Sequence, residues 1–171
     1  MRTLFVDPPP EIEELIAQRK ALGQDLYDEV WEGEYHVAAA PTDGHADVRV
    51  QLVRILAPLA DRAGLQVRGP SNIGGPHDFR VPDLAFFRGD KGVTWHMGAA
   101  VVVEVVSPGD ESRRKFGHYF AVGVEEFLIV DPRARTVEWF ARGTGAFEPA
   151  DGSSILGITG TALNEAIDWP S

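Results

Sequence analysis

Residues 99–130, AAVVVEVVSPGDESRRKFGHYFAVGVEEFLIV, decide the fold. They open with an apolar, β-branched run whose composition suits a strand buried on both faces. Glu104 alone interrupts that run with a charge. Period-2 geometry sets Val101, Val103 and Val105 on one face and Val102, Glu104 and Val106 on the other. A carboxylate there loses its hydration, so it is protonated, paired or bound to a cation.

Ser107-Pro108-Gly109 breaks the strand, and Asp110 offers an N-cap for a helix of about three turns. On that helix Phe116, Tyr119 and Phe120 fall at sheet-facing spacing, and Gly123 is a natural stop. Lys115 and Tyr119 stand four apart and are therefore neighbours on one side. Glu125-Glu126 lead into a second apolar strand, residues 127–130. Strand, helix, strand is a βαβ crossover, which predicts parallel pairing and a mixed α/β domain.

The 171 residues suffice for one domain, 1–171, with a substantial core. The chain carries no apolar run of the ~20 residues that a membrane span needs, so no membrane association is expected. Residues 1–5 lack a signal peptide's apolar core, and a cytoplasmic location is expected. The absence of cysteine rules out disulfides and thiolate metal sites. A formal charge of −10 opposes broad, nonspecific adhesion to nucleic acid, although bound divalent cations would offset an acidic site.

Elsewhere, Pro8 to Pro10 introduce a helix toward Gly23, and residues 27–31 and 35–40 read as a strand pair turning at Glu32-Gly33. Thr42 or Asp43 caps a longer helix with an apolar stripe at Val48, Leu52, Ile55, Leu56 and Leu59, which Pro58 bends or breaks near its end. Residues 65–68 and 71–74 are strand pieces around Gly69-Pro70. Residues 79–88 read as one strand carrying Pro82-Asp83, with the proline suited to an edge, a bulge or a strand start. Residues 136–140 form a strand antiparallel to its predecessor; a strand near Phe147 and a helix over 161–167 follow.

Asp83, Glu104 and Lys115 make a spaced acid–acid–lysine set, which is common enough to carry little alone. RVPDLAFFR (80–88), the run from Val101 to Pro132, RTVEWF (135–140) and DEVWEGEYHVAAAPTDGH (28–45) together resemble the Uma2 family of restriction-endonuclease-like proteins. That family belongs to the PD-(D/E)XK nuclease superfamily, and the similarity extends over most of residues 27–142. The resemblance implies an α/β fold, a mixed sheet flanked by helices with an N-terminal strand pair. It also implies Mg²⁺- or Mn²⁺-dependent endonucleolytic hydrolysis of DNA, and a homodimer.

By the same resemblance Asp83 takes the place of the motif's PD aspartate and Glu104 that of the acid on the next core strand. Val106 occupies the usual lysine slot, so a displaced lysine on the adjacent helix, Lys115, is the implied substitute. The metal would be held by Asp83, Glu104 and the carbonyl of Val105. Tyr119 would steady Lys115 or touch substrate, and Glu34, ahead of Glu32 or Glu29, would add an N-terminal acid. His45 matches a histidine near the start of the family's long helix.

Blander readings stand beside these. Glu104 could form a structural ion pair with Lys115 or an arginine; Asp83 could be a strand-end acid, Lys115 a solvated lysine and Glu34 a surface strand residue. A lone His45 is usually structural. The competing functions are a nuclease-fold binding or scaffold protein without turnover, and a hydrolase of some other phosphate ester.

Overall fold

The computed structural model describes residues 9–38, 40–89, 92–109 and 111–170, together with the backbone of 3–5. The first part of the chain holds β1 (Thr3–Phe5), α1 (Pro10–Ala21), β2 (Glu29–Trp31), β3 (Glu34–Val37) and α2 (Asp43–Arg62). Short strands follow: β4 (Gln66–Arg68), β5 (Asn72–Gly75), β6 (Asp78–Arg80), β7 (Leu84–Phe87) and β8 (Trp95–His96). The central crossover is β9 (Val101–Val105), a 3₁₀ turn (Ser112–Lys115), α3 (Phe116–Ala121) and β10 (Glu126–Asp131). The chain closes with β11 (Thr136–Arg142), β12 (Phe147–Ala150), β13 (Gly152–Ser153), β14 (Ile158–Thr159) and α4 (Gly160–Ala166).

These strands build two larger sheets, ordered β1-β3-β2-β6-β5-β8 and β12-β11-β10-β9-β7-β4, and the small pair β13-β14. In the second sheet β9 and β10 run parallel, with Glu104 beside Ile129, and β11 returns antiparallel. The crossover expected from residues 99–130 is therefore present. Its helix is shorter than three α turns, since the segment after Glu111 begins as a tight 3₁₀ turn; the expected cap, Asp110, lies outside the described residues.

The expected strand over 79–88 is two strands in different sheets. Proline has no amide to give a ladder, and at Pro82 the chain leaves β6 of the first sheet for β7 of the second. Gly69-Pro70 makes the opposite passage, from β4 to β5. Asp83 thus sits at the junction of the two sheets, immediately before β7.

The faces of the central sheet divide as the alternation of β9 predicts. Val101, Val103 and Val105 pack with Leu84, Phe86, Leu128 and Val130 under α2, whose Val48, Leu52, Leu56 and Ala60 are fully buried at four-residue spacing. Each of the larger side chains contributes about 1.5–3 kcal/mol by its burial. Thr42 caps α2 by accepting from the amide of His45, at 3.4 Å, and the helix continues through Pro58 to Arg62. On the opposite face Val102, Phe127 and Ile129 pack with Tyr119 of α3, and Phe116 sets its ring edge-on to Phe127 and Phe140. The β2–β3 turn uses Glu32 and Gly33 at φ 51° and 91°, the doubly positive pattern of a tight hairpin.

Candidate active site

Every residue of β9 is buried, so the alternation that sends its valines under α2 sends Glu104 into the opposite wall. Two donors meet its Oε1: the Lys115 ammonium at 2.8 Å and the Tyr119 hydroxyl at 2.6 Å. Four-residue spacing on one helical face brings that pair together, with Lys115 as the residue before α3. Burial pushes the Glu104 carboxyl up to about 7; Lys115 opposes that rise, and the negative charges of Glu29 and Asp83 reinforce it. The Tyr119 phenol is held well above its ordinary value, first by burial and then by the charges of Glu104 and Glu29, which keeps it a donor.

Lys115 is itself only 1% exposed and also donates to Glu29 Oε1 at 2.8 Å. Glu29, fully buried on β2, accepts further from the Val81 amide at 2.9 Å and the Trp31 indole at 2.6 Å. The Trp31 ring is covered by the Arg80 and Arg114 guanidinium groups at 4.6 and 5.2 Å. A buried lysine bridging two carboxylates is the arrangement that makes a desolvated ammonium tolerable.

Asp83 enters from the sheet junction. Its Oδ2 accepts from the Val105 amide and its Oδ1 from His45 Nε2, each at 2.8 Å. Leu84 pairs with Val103 across the antiparallel β7–β9 ladder, so continuing that register sets Asp83 opposite Glu104. His45 lies in the first turn of α2, and its Nδ1 is 2.9 Å from the Ser107 hydroxyl. An ionised carboxylate only accepts, so Nε2 donates to Asp83; in the neutral ring Nδ1 then accepts from Ser107.

Asp83, Glu104, Val105, His45, Ser107 and Glu111 line one cleft of about 310 Å³. Lys115, Tyr119 and Glu29 stand behind its wall. A larger cleft of about 670 Å³ lies between α2 and β4, but Asp61 is its sole carboxylate and the paired acids are elsewhere.

Of the residues singled out in the sequence, Asp83, Glu104, Lys115 and Tyr119 converge, and the Val105 amide joins them. Glu34 does not. It shares a face of the β2–β3 ribbon with Glu29, but it is registered opposite Trp31, whereas Glu29 faces His36. That is a two-residue step, roughly 7 Å, toward the hairpin turn. Glu29 is the N-terminal acid that reaches Lys115. His45, which matches the family's helix histidine, touches Asp83 at the edge of the cleft; a single histidine 38 residues before its partner leaves no spacing signal of that contact. Among the described residues no group of three or more His, Asp or Glu side chains is disposed to hold a metal ion.

A family model, Uma2, described as "Putative restriction endonuclease", matches residues 12–156, a span that includes every residue of this network. The crystal structure of "a putative nuclease belonging to DUF820" from Anabaena variabilis ATCC 29413 is similar with a TM-score of 0.66. The match covers 81% of this chain and 90% of that one at 14% identity, and the likeness is one of fold. No curated protein matches the chain.

Proposed function

The chain belongs to the Uma2 family, and from that membership we propose that it is a divalent-metal-dependent nuclease hydrolysing phosphodiester bonds of DNA. The observation that carries this reading is the meeting of Asp83 and Glu104 in one cleft, with the Lys115 ammonium 2.8 Å from Glu104. The donor chemistry fits Mg²⁺ or Mn²⁺, hard cations that take oxygen ligands; Mg²⁺ needs only one or two carboxylates because it keeps several waters. The charge of Asp83 acts on Glu104 in the direction of raising its pKa, a repulsion that a dication would relieve. Each ionised carboxylate offers about four lone-pair sites. Hydrogen bonds from His45 and Val105 occupy part of that capacity on Asp83, and those from Lys115 and Tyr119 part of it on Glu104.

Asp83, Glu104 and the Val105 carbonyl are the groups that would hold the ion. Bound there, it would polarise a phosphoryl oxygen and lower the pKa of an attacking water. His45 and the Val105 amide grip the two oxygens of Asp83 and so orient its carboxylate. Tyr119 and Lys115 do the same for Glu104 through Oε1. Lys115 keeps a positive charge in the low-dielectric wall, where it offsets negative charge growing on the phosphoryl group. Glu29, which does not line the cleft, is a positioning residue for that ammonium.

A second reading, a nuclease-fold binding protein without turnover, is favoured by one feature. Both acids are already hydrogen-bonded within the protein, and no third carboxylate or histidine completes a metal-binding group among the described residues. Cleavage of plasmid and labelled duplex DNA by the wild type, D83N and E104Q, with and without Mg²⁺ or Mn²⁺, separates the two. The nuclease reading expects metal-dependent cleavage that falls about 100-fold or more in each variant. Equal cleavage by purified variants, or none by the wild type, rejects it.

A further inference from the structure

The cleft of Asp83 and Glu104 borders a second one. Thr42, His45 and Pro108 line both, and the second, of about 340 Å³, is bounded on its other side by Arg133 and Arg135. Both arginines are exposed. Arg19, Arg80, Arg88, Arg113 and Arg114 each hold a carboxylate. Arg133 and Arg135 hold none among the described residues; Arg49, Arg54, Arg62, Arg68 and Arg142 share that property, but only Arg133 and Arg135 line a cleft beside Asp83 and Glu104.

Hydrogen bonds tie the backbone of this turn, whereas the two side chains make few. Asp131 Oδ1 accepts from the amides of Arg133 and Ala134, at 2.9 and 3.0 Å, and so directs its carboxylate into the loop. The Arg135 carbonyl accepts from Asn164 at 2.8 Å. The sole side-chain hydrogen bond of either arginine among the described residues is a long one, 3.4 Å, from Arg135 to the Pro170 carbonyl. Two guanidinium groups on a hydrogen-bonded turn, without carboxylate partners and next to an acidic cleft, suit the recognition of a phosphate by paired N–H donors.

We propose that Arg133 and Arg135 form a phosphate subsite that holds the nucleic-acid backbone beside the group presented to Asp83 and Glu104. This inference rests on the nuclease reading and adds to it the path of the strand, past His45 toward the β10–β11 turn. It also accounts for how an acidic chain engages a polyanion: attraction is concentrated at one point next to the chemistry.

The test uses the full chain and a fluorescein-labelled DNA duplex. Anisotropy titrations across a salt series are combined with steady-state cleavage in Mg²⁺ for wild type, R133Q/R135Q, R133K/R135K and D83N. Expected for R133Q/R135Q are binding weaker by about tenfold, a slope of log K against log salt shallower by about 1 to 2, a raised KM and an unchanged kcat. R133K/R135K, which keeps the charge, restores most of the salt slope. D83N, which loses cleavage, is the background in which R133Q/R135Q is expected to weaken binding by the same factor, so that the loss is read without turnover. Wild-type affinity and slope in R133Q/R135Q, with the wild type cleaving and D83N inactive, overturns the subsite and leaves the nuclease reading standing. A wild type that neither binds nor cleaves the duplex overturns both.

Discussion

Two glutamates on neighbouring strands, Glu104 of β9 and Glu126 of β10, are buried to almost the same degree, 5% and 3% exposed. Their surroundings differ in kind. Glu126 is met by neutral donors: the Ser153 hydroxyl, the Ser154 amide and hydroxyl at 2.9 and 2.8 Å, and the Ile155 amide at 3.2 Å. Its carboxylate fastens the β13 region to the central sheet. Glu104 is met by an ammonium and a phenol, has two further carboxylates acting on it, and lines a cleft. Burial of an acid is therefore not in itself a sign of chemistry. What distinguishes Glu104 is crowding by like charge beside an open space, the kind of surroundings in which functional acids are found.

The contrast can be broken most forcefully at Lys115. K115M strands two buried carboxylates and is expected to lower the unfolding free energy by about 3–5 kcal/mol in urea titration; the triple variant E29Q/E104Q/K115M recovers much of that loss. A K115M protein as stable as the wild type would mean that the network carries little charge.

Next in size is E126A, expected to cost about 2–4 kcal/mol through lost hydrogen bonds to a charged group. Its kcat per folded molecule should stay at the wild-type value, against the roughly 100-fold loss in E104Q. Equal losses of turnover in E126A and E104Q would erase the distinction between the two glutamates.

The smallest effect is in pH dependence. The folded-state pKa of Glu104 is raised from 4.5 to about 7, so the folded form binds its proton more tightly than the unfolded chain does. The stability this brings is present below about pH 4.5 and is lost as pH rises toward 7. E104Q, locked in the neutral form, should lack that decline, so its stability relative to the wild type grows across this window. Parallel curves for the two proteins would contradict the raised pKa.

Much of this was legible in local sequence. The spelling VVVEV placed three valines under α2 and turned Glu104 to the other face, because side chains alternate along any strand. The apolar runs on either side of a short helix announced the parallel pair β9–β10, and Lys115 and Tyr119 were neighbours by helical spacing. The Glu32-Gly33 turn and the α2 stripe were equally local. Glu29 was not distinguishable from Glu34, since both occupy one face of the same ribbon and only the packing of the two sheets selects which one meets Lys115. The strand over 79–88 hid a change of sheet at Pro82, and neither the contact of His45 with Asp83 nor the anchoring role of Glu126 left a periodic pattern.

Periodicity is a property of consecutive residues, so the sequence by itself determined which side chains share a face, where the crossover lies and which acid is forced indoors. The meeting of Asp83, Glu104, Glu29, Lys115 and His45 spans β2, α2, the sheet junction, β9 and the turn before α3. That convergence is set by the summed burial of two cores and by strand register, quantities no short stretch contains, and only the tertiary structure decided it.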